Sequence, residues 1–179
     1  MFYKLSEFKI LDNVELGRGY KSVVKVCVHS STKKKYAVKI IDLKHLTVQE
    51  QTAIQKEIRI QRQLHHPHII KIYAYFIEKS KLYLILELID RGTLHSRIFG
   101  QRMSEEEIVA VSRQIFLALR FMHDKGIIHR DIKPENILVD SEGKAKLCDF
   151  GFSSFLTQDE KRRTICGTIE YFPPEILDR

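Results

Sequence analysis

The segment IIHRDIKPENILV (127–139) gathers a histidine, an arginine, an aspartate, a lysine and an asparagine between positions 129 and 136. Residues of these types, this close together, can move a phosphoryl group. Asp131 can accept the proton of an attacking hydroxyl, Lys133 can steady the migrating phosphoryl oxygens, and Asn136 offers a hard amide oxygen to magnesium. Further along, CDFG (148–151) adds Asp149, a second metal-ligating oxygen donor. A lone acidic residue in a polar stretch is ordinarily a solvated turn, but an ordered set of this composition is not explained that way.

Phosphates also need a cradle. In LGRGYKSVV (16–24), Gly17 and Gly19 follow Leu16 and precede Val24, a pattern suited to a loop whose backbone lies close over phosphates. Ser22 stands where a third glycine is expected. Lys39, in YAVK (36–39), lies on the following strand and suits the α- and β-phosphates of a nucleotide. Its counter-ion is expected from the next helix. Glu57, 18 residues on, is the natural counter-ion, and Glu50, two turns earlier on nearly the same face, is the competing candidate.

These groups must be positioned by regular elements. From 8 to 41, three runs rich in Val, Ile and Leu, with turn-like NVELGRG and HSSTKKK stretches near or between them, read as an antiparallel meander. The alternation in YAVKII puts Ala37, Lys39 and Ile41 on one face. Thr47 and Glu50 make a capping box that opens a helix over 47–64, with Ala53, Glu57, Ile60 and Leu64 as its stripe. HIIKIYAYFI and KLYLILEL are two more strands, the second apolar on both faces and therefore internal. Ser104 and Glu107 repeat the capping box ahead of a long helix with a stripe of Ile108, Val111, Ile115, Leu119 and Met122.

Composition bounds the rest. At 179 residues, 44% hydrophobic and 30% charged, the chain has the size and balance of one globular domain. Its longest apolar stretch, LYLILELI (82–89), is too short to span a bilayer and contains Glu87, so no membrane association is expected. The opening MFYKLSEFKI lacks a basic segment followed by an apolar run, and Cys27, Cys148 and Cys166 lack metal-ligand spacing. An intracellular location is therefore expected. The net charge of +7 favours anionic partners, but KKK and KRR have no interleaved aromatics, so no direct nucleic-acid contact is expected.

The order glycine stretch, strand lysine, helix glutamate, HRDIKPEN, DFG and a closing Pro-Glu resembles a protein kinase catalytic domain from about Phe8 onward. The resemblance implies an α+β, bilobal, kinase-like fold spanning 1–179. It would have a complete N-lobe and hinge at about 8–89, built of a five-stranded antiparallel sheet plus one helix. An incomplete helical C-lobe would follow at 90–179, the chain stopping after the activation segment.

It implies transfer of the γ-phosphoryl of ATP with Mg2+, and the PEN after Lys133 implies serine or threonine acceptors. Catalysis would fall to Asp131, Lys133, Lys39 and Glu57, and metal binding to Asn136 and Asp149. Nucleotide binding would involve Leu16, Gly17, Gly19, Val24, Ala37, Lys39 and Leu138. Leu86 would be the gatekeeper, with the backbone of Glu87 and Ile89 against adenine.

Within kinases, RRTICGTIEYFPPEIL and the polar Gln61 resemble the aurora family, with polo-type kinases second; Ser22 and Phe152 depart from the aurora pattern. The resemblance makes Thr164 the activating phosphosite beside Arg130, Arg162 and Arg163. Glu135, Gly167 and Thr168 would position the substrate, Thr168 bonding Asp131 and Lys133. It further implies protein substrates with basic residues before the acceptor, an activator protein on the N-lobe, and a place in cytoplasm or nucleus, at spindle or centrosome. The alternative is a catalytically impaired, ATP-binding fragment acting as a regulatory or interaction module.

Overall fold

The computed structural model describes residues 3–19, 21–100, 102–156 and 166–177. The chain divides into two compact units. One comprises the chain up to Gln55 together with Ile70–Ile89; the other comprises Lys56–Ile69 and the chain from Asp90 onward.

The first unit is an antiparallel five-stranded sheet. Its strands are β1 (Phe8–Gly19), β2 (Ser22–His29), β3 (Lys35–Asp42), β4 (Ile72–Glu78) and β5 (Lys81–Leu86), in the order β1-β2-β3-β5-β4. β5 is internal, and Leu82, Tyr83, Leu84 and Ile85 are all buried, as a strand covered on both faces requires. Phe8, Cys27, Val38, Tyr83 and Ile85 form a core cluster, beside which Phe76 stacks on Tyr83 with ring centroids 5.3 Å apart. Cys27 is fully buried.

NVELGRG is not a turn: β1 continues through it to Gly19, with register shifts between Leu11 and Glu15 and again before Gly17. Irregular pairing lets the strand carry two glycines without ending.

Helix α1 (Val48–Gln61) is entered through the Thr47 cap. The Glu50 N–H donates to Thr47 Oγ1 at 3.2 Å, and the Thr47 N–H donates to Glu50 Oε2 at 2.8 Å. The division between the two units falls within this helix. Its apolar stripe starts later than its sequence suggests: Ala53 is exposed, and Ile58, Ile60 and Gln61 are the buried positions.

The second unit contains α2 (Leu94–Gly100), α3 (Glu105–Asp124) and α4 (Pro174–Leu177). It also holds two short antiparallel pairs, β6 (Ile127–Ile128) with β9 (Ser154–Phe155) and β7 (Ile137–Val139) with β8 (Ala145–Leu147). Val111, Ile115, Ala118 and Met122 of α3 pack with Leu64, Leu147 and Phe150 in its core. Ile108, assigned above to the buried stripe, is 51% exposed instead, because the buried face turns away from it. Gln114 locks the β7–β8 hairpin to α3: its Oε1 accepts from the Ala145 N–H at 2.9 Å and its Nε2 donates to Gly143 O at 3.1 Å. Among the described residues, no helix is long and apolar enough to cross a membrane.

Candidate active site

The segment after α3 is a short strand followed by an irregular run, and its polar groups are fixed by backbone bonds. His129 is buried, with Nε2 3.1 Å from Cys148 O, while its Nδ1 accepts from the Asp131 N–H at 3.3 Å. These partners fix the tautomer: Nε2 carries the proton, and Nδ1, facing a donor, does not. Burial pushes the His129 pKa down, and the Cys148 carbonyl and the charges of Asp149 and Asp131 pull it back only in part. Arg130 has a positive φ of 70° and donates from Nε to Phe152 O at 2.7 Å. A non-glycine residue in this region costs on the order of 1–3 kcal/mol and persists only where the surroundings over-determine it.

Asp131 is the centre of the site. It is buried, 6% exposed, and three side chains converge on it. Thr168 Oγ1 donates to its Oδ1 at 2.7 Å, Asn136 Nδ2 donates to its Oδ2 at 2.8 Å, and Lys133 Nζ lies 3.3 Å from Oδ2. Lys133 Nζ also donates to Thr168 Oγ1 at 2.6 Å, so the threonine hydroxyl links the lysine to the carboxylate. Burial by itself would raise the carboxyl pKa, but the bonds from Thr168, Asn136 and Lys133 together outweigh it and hold Asp131 below its ordinary value.

Thr168 reaches this position through Gly167, whose φ is +111°. A Cβ there would lie 2.5 Å from Arg130 O, so the neighbouring chain leaves room only for glycine.

Asn136 shows whether a hard cation fits. Its two amide hydrogens both go to Asp131, to the backbone O at 2.9 Å and to Oδ2 at 2.8 Å. The reversed amide would face two acceptors with an oxygen, so the assignment is forced and Oδ1 is turned away as an acceptor. The Cys148 N–H donates to Asn136 O at 2.9 Å, which holds the segment ahead of Asp149 against Asn136. Asp149 itself has φ 58°, and its Oδ1 accepts from the Gly151 N–H at 3.3 Å. Among the described residues no group of three or more His, Cys, Asp or Glu could hold a metal. One amide oxygen and one carboxylate suit magnesium, which retains waters and takes phosphate oxygens for its remaining positions.

Glu135, in the 3-10 turn Pro134–Asn136, has Oε1 3.8 Å from His95 Nε2, while its Oε2 is buried with no hydrogen-bond partner. Leu138 lies on β7 and is bridged to Thr93. Glu57 lies in the second half of α1, its Oε2 3.7 Å from where a Cβ of Gly151 would stand. Glu50, the alternative partner for Lys39, is committed elsewhere: its Oε1 accepts from Lys21 Nζ at 2.7 Å and its Oε2 serves the Thr47 cap.

The remaining nucleotide candidates belong to the first unit. Leu16, Gly17 and Gly19 lie at the end of β1 and Val24 on β2, directly opposite Lys39 on β3. Ala37 pairs with Leu86 of β5. A Cβ on Gly17 would meet nothing within 4 Å, so the backbone there is open to close approach. The Glu87 N–H donates to Lys71 O at 3.0 Å, and Ile89 is buried. Thr164, with Arg162 and Arg163, lies outside the described residues.

The sequence placed His129 in the run around Asp131 without giving it a role, and gave no sign of Gln114 on α3. Both act through long-range bonds, His129 to Cys148 O and Gln114 to the Ala145 N–H, for which no local pattern exists.

Comparison with known proteins agrees with this geometry. Residues 11–179 match the family described as protein kinase domain. The chain is 38% identical over 167 residues to a probable myosin light chain kinase of Dictyostelium discoideum, covering 92% of this chain and 52% of that protein. It is 37% identical over 179 residues to an Aurora kinase of Encephalitozoon cuniculi, covering 96% and 65%. It is 42% identical over 172 residues to calcium-dependent protein kinase 5 of Plasmodium berghei, covering 93% and 30%. The chain thus spans about half the length, 52%, of the first of these relatives.

Proposed function

Because this chain belongs to the protein kinase domain family, we propose that it transfers the γ-phosphoryl group of ATP to serine or threonine hydroxyls of protein substrates. The observation that carries this reading is the convergence of Thr168, Asn136 and Lys133 on the Asp131 carboxylate.

Gly17, Gly19 and Lys39 bind the phosphates. Leu16, Val24, Ala37 and Leu138 are the apolar contacts of the base. The Glu87 N–H is already bonded to Lys71, so the adenine contacts fall to the Glu87 carbonyl and the Ile89 backbone, with Leu86 as gatekeeper. Glu57 orients Lys39. Asn136 Oδ1 and the Asp149 carboxylate hold Mg2+, which when bound neutralises charge on the phosphate oxygens.

Asp131 accepts a hydrogen bond from the acceptor hydroxyl and fixes its direction. The hydroxyl oxygen forms the new bond to the γ-phosphorus as the bond from that phosphorus to the β,γ-bridging oxygen breaks, and ADP leaves with the electron pair. A carboxylate held below its usual range is a weak base, so the proton passes to Asp131 late, after most of the phosphoryl transfer. Lys133 faces the transferred group, and Gly167 and Thr168 form the floor under the residue after the acceptor. Glu135, whose Oε2 is buried without a partner, takes a basic residue ahead of the acceptor.

The finer reading is an aurora-like kinase. It rests on RRTICGTIEYFPPEIL and on Gln61, a polar residue only 7% exposed. Thr164 is then the activating phosphosite, an activator protein binds the first unit, and the protein works inside the cell, at spindle or centrosome. Phosphate transfer from labelled ATP to a basic serine peptide tests the reading, with Asp131→Asn and Lys39→Met as controls. Transfer by the parent chain and loss in both variants is the expected result. Nucleotide binding without transfer would favour the regulatory-module alternative.

A further inference from the structure

Glu135 carries a charge that the fold leaves unanswered. It sits in the Pro134–Asn136 turn, its Oε2 is buried, and among the described residues that oxygen has no hydrogen-bond partner. A buried carboxylate oxygen without a donor is costly, so the site calls for a cation. Two groups can supply one. The first is the basic residue of a substrate, already assigned to Glu135 above. The second belongs to the chain: His95 Nε2 stands 3.8 Å from Glu135 Oε1, and the two side chains are 42% and 40% exposed.

His95 is held in that place by its helix. Leu94, just ahead of it on α2, is buried in the core, and Thr93 Oγ1 accepts from the Ser96 N–H at 3.1 Å, which fixes the first turn. Phe99, four residues on, lies on the same side of the helix with its ring centroid 4.6 Å from that of the imidazole. At 3.8 Å a neutral imidazole makes no hydrogen bond to the carboxylate, whereas an imidazolium is attracted to it as a charge. The charged groups of the neighbouring elements are turned to other partners. α2 packs against the Glu135 turn and against β7, and β7 (Ile137–Val139) has no titratable residue. Arg97 of α2 is paired with Glu107 of α3, and Lys133, ahead of the turn, is bonded to Thr168 and faces Asp131.

We infer that His95 is a specificity-determining residue: once protonated, its imidazolium occupies the charge of Glu135 and weakens the preference for a basic residue in the substrate. The inference rests on the reading of Glu135 as the seat of that residue, and adds a control on it from within the chain. Histidine changes charge between about pH 5 and 8, where ordinary carboxylates stay ionised. The preference should therefore fall as the medium acidifies.

Two serine peptides test it, alike except that the basic residues ahead of the acceptor are arginine in one and citrulline, its uncharged analogue, in the other. Phosphorylation gives kcat/KM for each between about pH 6 and 8, and fluorescence anisotropy of the labelled peptides gives binding whether or not phosphate is transferred. The ratio of the two peptides cancels the titration of Asp131 and any loss of folded protein, since these act on both. In the parent chain the arginine preference should shrink roughly two- to fivefold toward the acid end, the range of an exposed ion pair. His95→Phe should keep the preference level, and His95→Lys, charged throughout, should hold it low at every pH. A parent preference independent of pH, or one equally pH-dependent in His95→Phe, would overturn the inference. Full arginine preference in Glu135→Gln would remove Glu135 as the seat, and the inference with it. Selective, pH-dependent binding of the arginine peptide without transfer would count against the proposed activity and still support the role of His95.

Discussion

Asp131 is held in its charged form by three neighbours acting against its own burial. Removing one should let burial win. Thr168→Val takes away the hydroxyl that donates to Oδ1 at 2.7 Å and accepts from Lys133 at 2.6 Å. A hydrogen bond to a charged group contributes about 1.5–3 kcal/mol, so kcat/KM should fall on the order of tenfold or more. The pH profile carries the sign. A depressed carboxyl keeps its anion as pH falls through the ordinary carboxylate range, and loses it only below. In Thr168→Val the acid limb of kcat/KM should therefore move to higher pH, read from peptide phosphorylation rates between mildly acidic and neutral buffers. A limb that stays in place would mean that Thr168 does not tune Asp131. Gly167 belongs to the same device, since only its missing Cβ lets the threonine approach past Arg130 O.

At the scale of elements, both capping boxes were legible because a cap is a local code. Thr47 with Glu50 and Ser104 with Glu107 each fix a helix start within three residues. Ser104 accepts from the Glu107 N–H at 3.3 Å, and Glu107 Oε2 accepts from the Ser104 N–H at 3.0 Å. Ser104→Ala should cost roughly 1 kcal/mol of stability, measured as a shift of the urea midpoint at unchanged slope; no shift would mean that the Arg97–Glu107 ion pair fixes the helix start instead. Elements that owe their existence to distant contacts were not legible. The β7–β8 hairpin has three residues per strand and is pinned by Gln114 from α3, a contact that no periodicity announces. The choice between Glu50 and Glu57 was likewise open in sequence, because both share a helix face. Glu50 is spent on Lys21, which the β1–β2 hairpin delivers from outside the helix. The catalytic run was readable because its residue types are rare in combination, yet the bond from Thr168 to Asp131 joins positions 37 apart and needed the fold.

For the molecule as a whole, buried His129 and half-buried His66 shape the response to acid. Burial pushes His129 down against its carbonyl and carboxylate neighbours, and burial with the charges of His68 and Lys146 pushes His66 down. Depressed histidines leave the unfolded chain binding more protons than the folded one, so stability is full above the unfolded value, roughly 6.5, and is lost as pH falls below it. For His129 the slope cannot exceed about 1.4 kcal/mol per pH unit. Urea unfolding followed by circular dichroism at several pH values should show this loss, and His129→Phe should flatten it. A variant as acid-sensitive as the parent would place the effect elsewhere.

The packing of the first unit has a further use. Cys27 has no exposed surface, and burial pushes its thiol up to about 11, whereas Cys148 and Cys166 are half-buried. An alkylating reagent can reach Cys27 only when the sheet around it opens. With Cys148 and Cys166 replaced by serine, the labelling rate at neutral pH becomes a clock for transient opening of that sheet, read from a single sulfur atom. Added nucleotide should slow that clock if it binds the first unit, which would turn a silent core residue into a ligand sensor.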